Sequence, residues 1–251
     1  AFTPEDAAAL PITVADLVLT SANDISVDMV HVTGAAQMTY GDDLSIGTLL
    51  ADGSIRARLG PVLDPQAEGN TLFVNGLVSA PTISLESGAL SIEEGGQIGE
   101  AGFTGTLELI ARSFGDPILI GGTDESGDAE AQYHLTQAEA ERVEADTVTL
   151  RATSNTDDPA QVLIRDLTIQ GSAGGGSSAV NLITAGSVRV EGDLAFIDAA
   201  TTDALRVSAA ERIEVITPDG SIRMTDAGGN LAGTLTLQSA NIVVTDAALA
   251  D

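Results

Sequence analysis

The fold is decided by a short stretch near the start of the chain, Leu17-Val18-Leu19-Thr20-Ser21-Ala22-Asn23-Asp24-Ile25-Ser26-Val27. Apolar residues alternate with polar or outward-pointing ones in residues 17–19 and again in residues 25–27. A period of two is typical of a short strand with one buried face. Ser, Ala, Asn and Asp lie between the two units and favour a turn. The stretch therefore predicts two short strands that meet at a tight corner.

The same pattern returns near the other end of the chain, in Leu235-Thr236-Leu237-Gln238-Ser239-Ala240-Asn241-Ile242-Val243-Val244. Similar three-residue units, separated by Gly, Asn, Asp and Ser, lie between these two copies: Ile83–Leu85, Leu90–Ile92, Val162–Ile164, Leu167–Ile169, Val188–Val190, Leu205–Val207 and Ile213–Val215. We interpret them as a degenerate internal repeat, which is the sequence signature of a repeat architecture.

Many short strands can form a sandwich, a barrel or a solenoid. Sandwich strands are longer and carry aromatic residues in a thick core, whereas aromatic residues make up only 3% of this chain. Stacked Val, Ile, Leu and Ala suit the narrow interior of a solenoid. We therefore predict an all-β fold, a parallel β-helix. With roughly 20 residues per coil, it would have about twelve coils and a length of roughly 60 Å.

One segment interrupts the strand pattern. Residues 136–145 read as a short helical insertion, because Thr136 and Glu139 have the spacing of a capping box. The Gly- and Ser-rich residues 171–178 read as a flexible turn insertion within the solenoid. We expect residues 12–251 to form a single solenoid domain, with residues 1–11 as an N-terminal extension, a cap or an arm donated to a neighbour.

The charge of the chain excludes several classes of partner. Its 251 residues include 37 Asp and Glu against 10 basic residues, all of them Arg, for a formal net charge of −27. A nucleic-acid binder or a protein bound to an anionic membrane surface needs a basic face. Without Cys, neither disulfides nor thiolate metal sites can form. No apolar run approaches the ~20 residues of a membrane span.

We expect the acidity to be spread over the whole rod, where it would discourage side-to-side packing. Low salt would then weaken any assembly, and calcium would strengthen it. The first residues lack the basic and apolar regions of a signal peptide. We therefore expect a mature product or a piece of a longer protein.

Three stretches resemble a known module: Ile118-Leu119-Ile120-Gly121-Gly122, Leu135-Thr136-Gln137-Ala138-Glu139-Ala140-Glu141-Arg142-Val143 and Ala145-Asp146-Thr147-Val148-Thr149-Leu150. They are similar to repeats of filamentous-haemagglutinin-like and autotransporter-like exoproteins of Gram-negative bacteria. In those repeats a strand that ends in Gly is followed by a helical turn and another strand. The resemblance implies a right-handed parallel β-helix, exported to the cell surface as an adhesin, stalk or filament, without catalytic residues. Ala140 stands where the module often has a larger apolar residue, which implies looser packing of the helix.

An acidic segment offers the oxygen ligands that calcium prefers. It runs from Asp124 to Glu130 and includes Glu125 and Asp128. The Asp spacing of an EF-hand and the Gly-rich nonapeptide of calcium-binding β-helices are both missing. We interpret the segment as a solvated acidic loop, with a calcium site as the alternative.

Two adjacent carboxylate pairs are candidates for acid–base chemistry on glycans: Asp42-Asp43 and Asp157-Asp158. Neighbouring residues of an extended chain point to opposite faces, so we do not expect both members of a pair to share a site. Asp favours turns, and we interpret both pairs as turn residues.

The two histidines, His31 and His134, are too few for a zinc site unless carboxylates complete it. His31 lies between two valines and is expected to point outward if the valines point inward. We interpret both histidines as surface or turn residues. The sequence therefore gives no catalytic, cofactor-binding or metal-binding residue.

The leading hypothesis is a non-enzymatic, exported β-solenoid, located extracellularly or on the cell surface. It would act as an adhesin, stalk or filament segment through shape and surface contacts. Its expected partners are further copies stacked head to tail, or a host or cell-surface glycan or protein. The alternatives are a β-helical polysaccharide-degrading enzyme and a calcium-dependent module that binds a surface glycan.

Overall fold

A computed structural model describes residues 12–60, 70–123, 133–154, 158–217 and 219–246. These residues form 28 strands, and every pairing between the strands is parallel. Partners in each ladder come from successive turns of the chain, so each strand stacks on a strand of the preceding coil. The prediction of a parallel β-solenoid is confirmed. It has three faces, called face 1, face 2 and face 3 below.

Face 1 is one sheet of nine strands that runs from residue 17 to residue 238. Its strands, in stacking order, are β2 (Leu17–Thr20), β5 (Ala35–Tyr40), β8 (Ser54–Leu59), β11 (Thr82–Ser87), β14 (Thr106–Ser113), β18 (Thr147–Ser154), β21 (Ala179–Thr184), β24 (Ala204–Ala209) and β27 (Thr234–Gln238).

Face 2 follows face 1 in every coil and consists of two sheets. The first holds β3 (Ile25–Val27), β6 (Leu44–Ile46), β9 (Thr71–Val74) and β12 (Ala89–Ile92). The second holds, in stacking order, β16 (Tyr133–Leu135), β15 (Ile118–Gly121), β19 (Val162–Arg165), β22 (Ser187–Val190), β25 (Arg212–Thr217) and β28 (Asn241–Asp246).

Face 3 closes each coil and also consists of two sheets. The first holds β1 (Ile12–Val14), β4 (Val30–Val32), β7 (Leu49–Ala51), β10 (Leu77–Ser79), β13 (Gln97–Gly99) and β17 (Val143–Glu144). The second holds β20 (Leu167–Gln170), β23 (Asp193–Ile197) and β26 (Ser221–Met224).

The core consists of columns of like residues stacked from coil to coil. One column of face 1 begins at Leu17 and ends at Leu235, so the two copies of the opening motif lie in register at opposite ends of the sheet. Its members are Leu17, Ala36, Ile55, Ile83, Leu107, Val148, Val180, Leu205 and Leu235. Inward positions alternate with exposed or half-buried ones along each strand, as the period of two predicts.

The expected coil number was wrong. Leu17 pairs with Ala36 in the next coil, but the partner of Leu107 is Val148, more than twice as far along the chain. Insertions at the corners lengthen the later coils, so nine coils on face 1 use the residues that twelve were expected to use. At ~4.8 Å between strands, these nine coils span about 40 Å rather than 60 Å.

The longest insertion contains the predicted helix, which is shorter than expected. Helix α1 covers Gln137–Ala140, and residues 143–144 are already strand β17 rather than helix. The predicted capping box is present, since Thr136 and Glu139 bond to each other's backbone N–H groups. The strand that precedes the helix, β16, follows β15 in the sequence but lies between β12 and β15 on face 2.

Aspartates at the corners connect successive coils. The carboxylate of an Asp that precedes a strand accepts the backbone N–H of the residue stacked above it. The pairs are Asp16 with Ala35, Asp24 with Asp43, Asp43 with Thr71 and Asp166 with Asp193, at 3.0–3.2 Å. Part of the acidity of the chain is therefore structural.

Residues 171–178 are more ordered than the predicted flexible insertion. Ser172–Gly174 form a single 3-10 turn. The fully buried Asp203 accepts hydrogen bonds from the backbone N–H and the hydroxyl of Ser172, at 2.8 and 2.6 Å. A buried carboxylate therefore fixes the start of this turn.

Candidate functional site

The corner between face 1 and face 2 brings three carboxylates together. The ligand oxygens of Asp24, Asp42 and Asp43 all lie within 4.8 Å of one another. The prediction that Asp42 and Asp43 would point apart was wrong, because they lie in a bend rather than in an extended strand. Their assignment as turn residues is confirmed. Asp24 joins them because it occupies the same corner one coil earlier, where it accepts the backbone N–H of Asp43.

Two carboxylates of this cluster form hydrogen bonds that connect successive coils. Asp24 and Asp43 each accept a backbone N–H from the next coil. Partial burial, followed by the nearby charges of Asp43 and Asp24, raises the pKa of Asp42 above its usual value. The three carboxylates have the donor set of a hard cation.

The other acidic candidates lie outside this cluster. The segment Asp124–Glu130 and Asp157 fall outside the described residues. Asp158 is exposed at the corner that precedes β19. The structure therefore gives no geometry for the alternative calcium loop.

Both histidines have hydrogen-bond partners within the fold. His31 points outward between the inward Val30 and Val32, as predicted, and its Nε2 lies 3.0 Å from Asp52 Oδ1. Nε2 of His134 lies 2.8 Å from the carbonyl oxygen of Gly121. Among the described residues, neither histidine belongs to a group of side chains that could hold a metal ion.

Two small cavities lie in the core of the solenoid. One, of about 20 Å³, is lined by apolar side chains around Tyr133. The other, of about 30 Å³, lies beside Ala140 and is lined almost entirely by apolar side chains. Their size and lining do not suit a polar substrate. Ala140, the position at which the resembling module often has a larger apolar residue, lines the second cavity.

A larger groove of about 190 Å³ runs along the outside of face 2. Its charged residues are Arg189, Arg212 and Glu214. Arg189 is paired with Glu191 at 3.1 Å, and Arg212 with Glu214 at 2.5 Å. Both guanidinium groups therefore already have a carboxylate partner, although Glu191 also pairs with Arg165, at 3.0 Å.

The two ends of the solenoid expose apolar side chains that belong to the core columns. At the last coil, Leu235, Ile242 and Val244 are 41%, 50% and 67% exposed, although their partners one coil earlier are buried or half-buried. At the first coil, Ile12 is 50% exposed and Leu17 is half-buried. No described residue covers these end strands.

The outer surface of face 1 is cationic, which contradicts the expected even spread of acidity. Its outward positions carry five of the ten arginines and only two of the 37 acidic residues: Arg56, Arg58, Arg112, Arg151 and Arg206 against Glu86 and Glu108. The net charge of this surface is +3, and the rest of the chain carries −30. The charge is segregated.

The opposite edge of the solenoid, between face 2 and face 3, is acidic. Besides the buried Glu139, the connections between these faces carry seven exposed or half-buried acidic residues and one basic residue, Arg142. The seven, called the acidic ridge below, are Asp28, Glu93, Glu94, Glu141, Asp166, Glu191 and Asp219. The ridge is the one edge of the three that does not border face 1.

Sequence reasoning missed both surfaces, although part of the signal was present. The run Ile55-Arg56-Ala57-Arg58-Leu59 places its arginines outward by simple alternation. The alternation does not indicate which distant strands lie in the same sheet as this run.

None of the described helices is long and apolar enough to cross a membrane. No protein-family model, no curated protein and no solved structure matches this chain. The similarity to filamentous-haemagglutinin-like exoproteins therefore remains a prediction.

Proposed function

We propose that this chain is an exported structural or adhesive β-solenoid that acts through shape and surface contacts rather than catalysis. It would serve outside the cell or on its surface, as an adhesin, a stalk or a segment of a filament. The observation that carries the proposal is the pair of apolar ends, which no residue in the described part of the chain covers. A solenoid that continues from one copy to the next would bury both.

The strand edges at the two ends are compatible in geometry. Each end presents one strand from each face: β1, β2 and β3 at the first coil, and β26, β27 and β28 at the last. A second copy placed on the last coil would extend all three faces by parallel pairing, the pairing used throughout the fold. Such a head-to-tail contact is heterologous and does not close, so it produces a filament.

The two end coils also match in sequence. Leu235 and Leu237 would stack on Leu17 and Leu19 of the next copy, because both pairs belong to the same columns of face 1. On face 2, Ile242 and Val244 would stack on residues 25 and 27 in the same way. The junction would then have the same apolar columns as the interior of one copy.

Negative-stain electron microscopy and light scattering test the stacking. The wild-type protein should form rods that are multiples of about 40 Å long, increasingly so as its concentration rises. The variant Leu235→Asp with Ile242→Asp should give single rods, since buried carboxylates at the junction are costly.

The matched control carries the same two added charges on the outward side of the same coil. Thr236→Asp with Gln238→Asp changes exposed residues of β27 and should leave the rods long. Single rods for the wild type at every concentration, or equal lengths for both variants, would contradict the stacking. Robust turnover of acidic or neutral glycans would instead favour the enzyme alternative.

A further inference from the structure

We propose that face 1 is a second, lateral interface, on which the arginines of one copy dock against the acidic ridge of a second copy. This contact uses the side of the solenoid and does not depend on the stacking of its ends. It makes rods associate side by side, and it follows from the unequal distribution of charge around the coil.

The outward side of face 1 is enriched in Arg and depleted in carboxylates. Arg is enriched, and Asp and Glu are depleted, in interfaces relative to the rest of a protein surface. Face 1 has five outward arginines, no aspartate and two glutamates in a chain of net charge −27. Its remaining outward positions are mostly short, and nine of them are Thr: Thr20, Thr39, Thr82, Thr106, Thr147, Thr149, Thr153, Thr234 and Thr236.

The extent of face 1 is sufficient for a specific contact. Nine strands at ~4.8 Å spacing, each four to eight residues long at ~3.3 Å per residue, give a surface of roughly 900 Å². A standard protein interface buries about 800 Å² on each partner. The sheet is continuous, and its short side chains allow another surface to approach closely.

Several of the arginines remain available to a partner. Arg56 is exposed and makes no ion pair with a described residue. The side chain of Arg58 is 63% exposed and lies 3.9 Å from Glu86, which is also bonded to Arg112. Arg206 is exposed, and its one side-chain partner among the described residues is the neutral amide of Gln238, at 2.5 Å. The two glutamates of the face therefore do not neutralise it.

The acidic ridge of the same chain is the complementary surface that does not border face 1. The corner between face 1 and face 2 is also acidic, but it borders face 1; its described acidic residues are Asp24, Asp42, Asp43, Asp116, Asp158 and Glu211. The ridge runs parallel to face 1 along the solenoid, and Glu93, Glu94 and Glu141 are exposed near its middle. Because the ridge does not border face 1, one copy can use its face and its ridge at the same time. The contact is heterologous, and repetition of it gives an open array of parallel rods.

Sedimentation velocity at two ionic strengths is the primary test. In 20 mM NaCl the variant Leu235→Asp with Ile242→Asp, which cannot stack end to end, should sediment faster as its concentration rises. In 1 M NaCl, where the screening length is about 3 Å, this association should be lost. Evenly spread acidity predicts the opposite trend. A protein that does not associate laterally at low salt, or that associates more strongly as salt is added, overturns the proposal.

Charge reversal on the face gives the second test. Arg56→Glu with Arg206→Glu should abolish the low-salt association. The matched control, Arg189→Glu with Arg223→Glu, makes the same change in net charge on faces 2 and 3, where the two arginines are about half exposed. The control should associate at least as strongly as the wild type. Equal association of both variants overturns the assignment to face 1.

A mixing experiment identifies the partner surface. Glu93→Arg with Glu94→Arg reverses the middle of the ridge and should weaken association when this variant is alone. Mixed with the face variant, it should restore association, because glutamates on one copy then meet arginines on the other. No recovery on mixing overturns the proposed pairing. Binding of polygalacturonate by a wild type that does not self-associate would instead assign face 1 to an acidic glycan.

Each contact can be removed by substitutions that should leave the other contact intact. The variant Leu235→Asp with Ile242→Asp shortens the rods but should keep the salt-sensitive association. The variant Arg56→Glu with Arg206→Glu should keep the long rods. Loss of both contacts in either variant would show that the two surfaces are not separate.

Discussion

Glu139 accepts the backbone N–H of Ile92 at 2.8 Å, although the two are far apart in sequence. Arg142 donates from Nη1 to the carbonyl oxygen of the same residue, at 2.6 Å. Ile92 ends β12, the last strand of its sheet on face 2, where the ladder to the next coil is interrupted. Two side chains from the helical insertion therefore provide the hydrogen bonds that a neighbouring strand gives elsewhere.

Replacing Glu139 should destabilise the solenoid at this interruption. The carboxylate is buried and also accepts the backbone N–H of Thr136, at 3.0 Å. The hydroxyl of Thr136 also donates to it, at 3.0 Å. Glu139→Ala therefore leaves three donors without this acceptor, and each buried unpaired group costs about 1–3 kcal/mol. We expect the free energy of unfolding, measured in urea, to fall by about 3–5 kcal/mol.

Two further substitutions separate hydrogen bonding from charge. Glu139→Gln keeps one acceptor oxygen and should cost less than the alanine variant. Glu141→Gln changes an exposed residue next to the same helix and should stay within about 0.5 kcal/mol of the wild type. An alanine variant as stable as Glu141→Gln would show that Glu139 does not bridge the interruption.

The buried Asp203 should be equally sensitive. It bonds to Ser172 and accepts the backbone N–H of Ala200 at 2.9 Å, so Asp203→Ala leaves three donors without it. We expect a loss of about 3 kcal/mol or more in urea unfolding, with faster hydrogen exchange at the amides of residues 172 and 200. Asp116→Ala, at an exposed corner, should change stability by less than about 0.5 kcal/mol. Unchanged exchange in the Asp203 variant would contradict this role.

The sequence predicts strands and their inward residues well, because burial of one face imposes the period of two. Leu17 and Leu235 were identified as equivalent, and they lie in one column. Coil length was not predictable from this period, since corners accept insertions without disturbing the columns. The long coil between Leu107 and Val148 includes the out-of-order strand β16, which no local pattern indicates.

The candidate surfaces depend on which residues of different coils stack on each other. The local sequence pattern does not determine this. Asp24 joins Asp42 and Asp43 only because the length of this coil stacks Asp24 against Asp43. Arg56 and Arg206 share a surface because β8 and β24 belong to one sheet, five strands apart. Charge can be read from the sequence, but its segregation requires the register of distant coils.

Filling the cavity beside Ala140 should stabilise the protein. This residue is partly buried against the core and lines the cavity of about 30 Å³. Ala140→Leu places apolar atoms in this space, and we expect the free energy of unfolding to rise by about 1 kcal/mol. Ala138→Leu, on the exposed side of the same helix, is the control and should have a smaller effect. A destabilised Ala140 variant would show that the cavity cannot accept the side chain.

The charge of Asp42 should oppose folding at neutral pH. The raised pKa of Asp42 arises from burial and from the charges of Asp43 and Asp24. A carboxyl group with a raised pKa in the folded state stabilises the fold when protonated, below the ordinary Asp pKa, and this contribution is lost as pH rises through the raised value. Asp42→Asn should therefore melt at a higher temperature than the wild type at pH 7, and the difference should disappear below about pH 4.

The same Asp-to-Asn substitution at position 226 should change the melting temperature in the opposite direction. The pKa of Asp226 is lowered, chiefly by hydrogen bonds from the backbone and side chain of Asn230. A lowered pKa contributes stability above the ordinary Asp pKa, which is lost as pH falls through the lowered value. Asp226→Asn should melt below the wild type at pH 7, and this difference should shrink on acidification. If both variants shift the melting temperature in the same direction at pH 7, net charge controls stability, and the local partners of the two carboxylates do not.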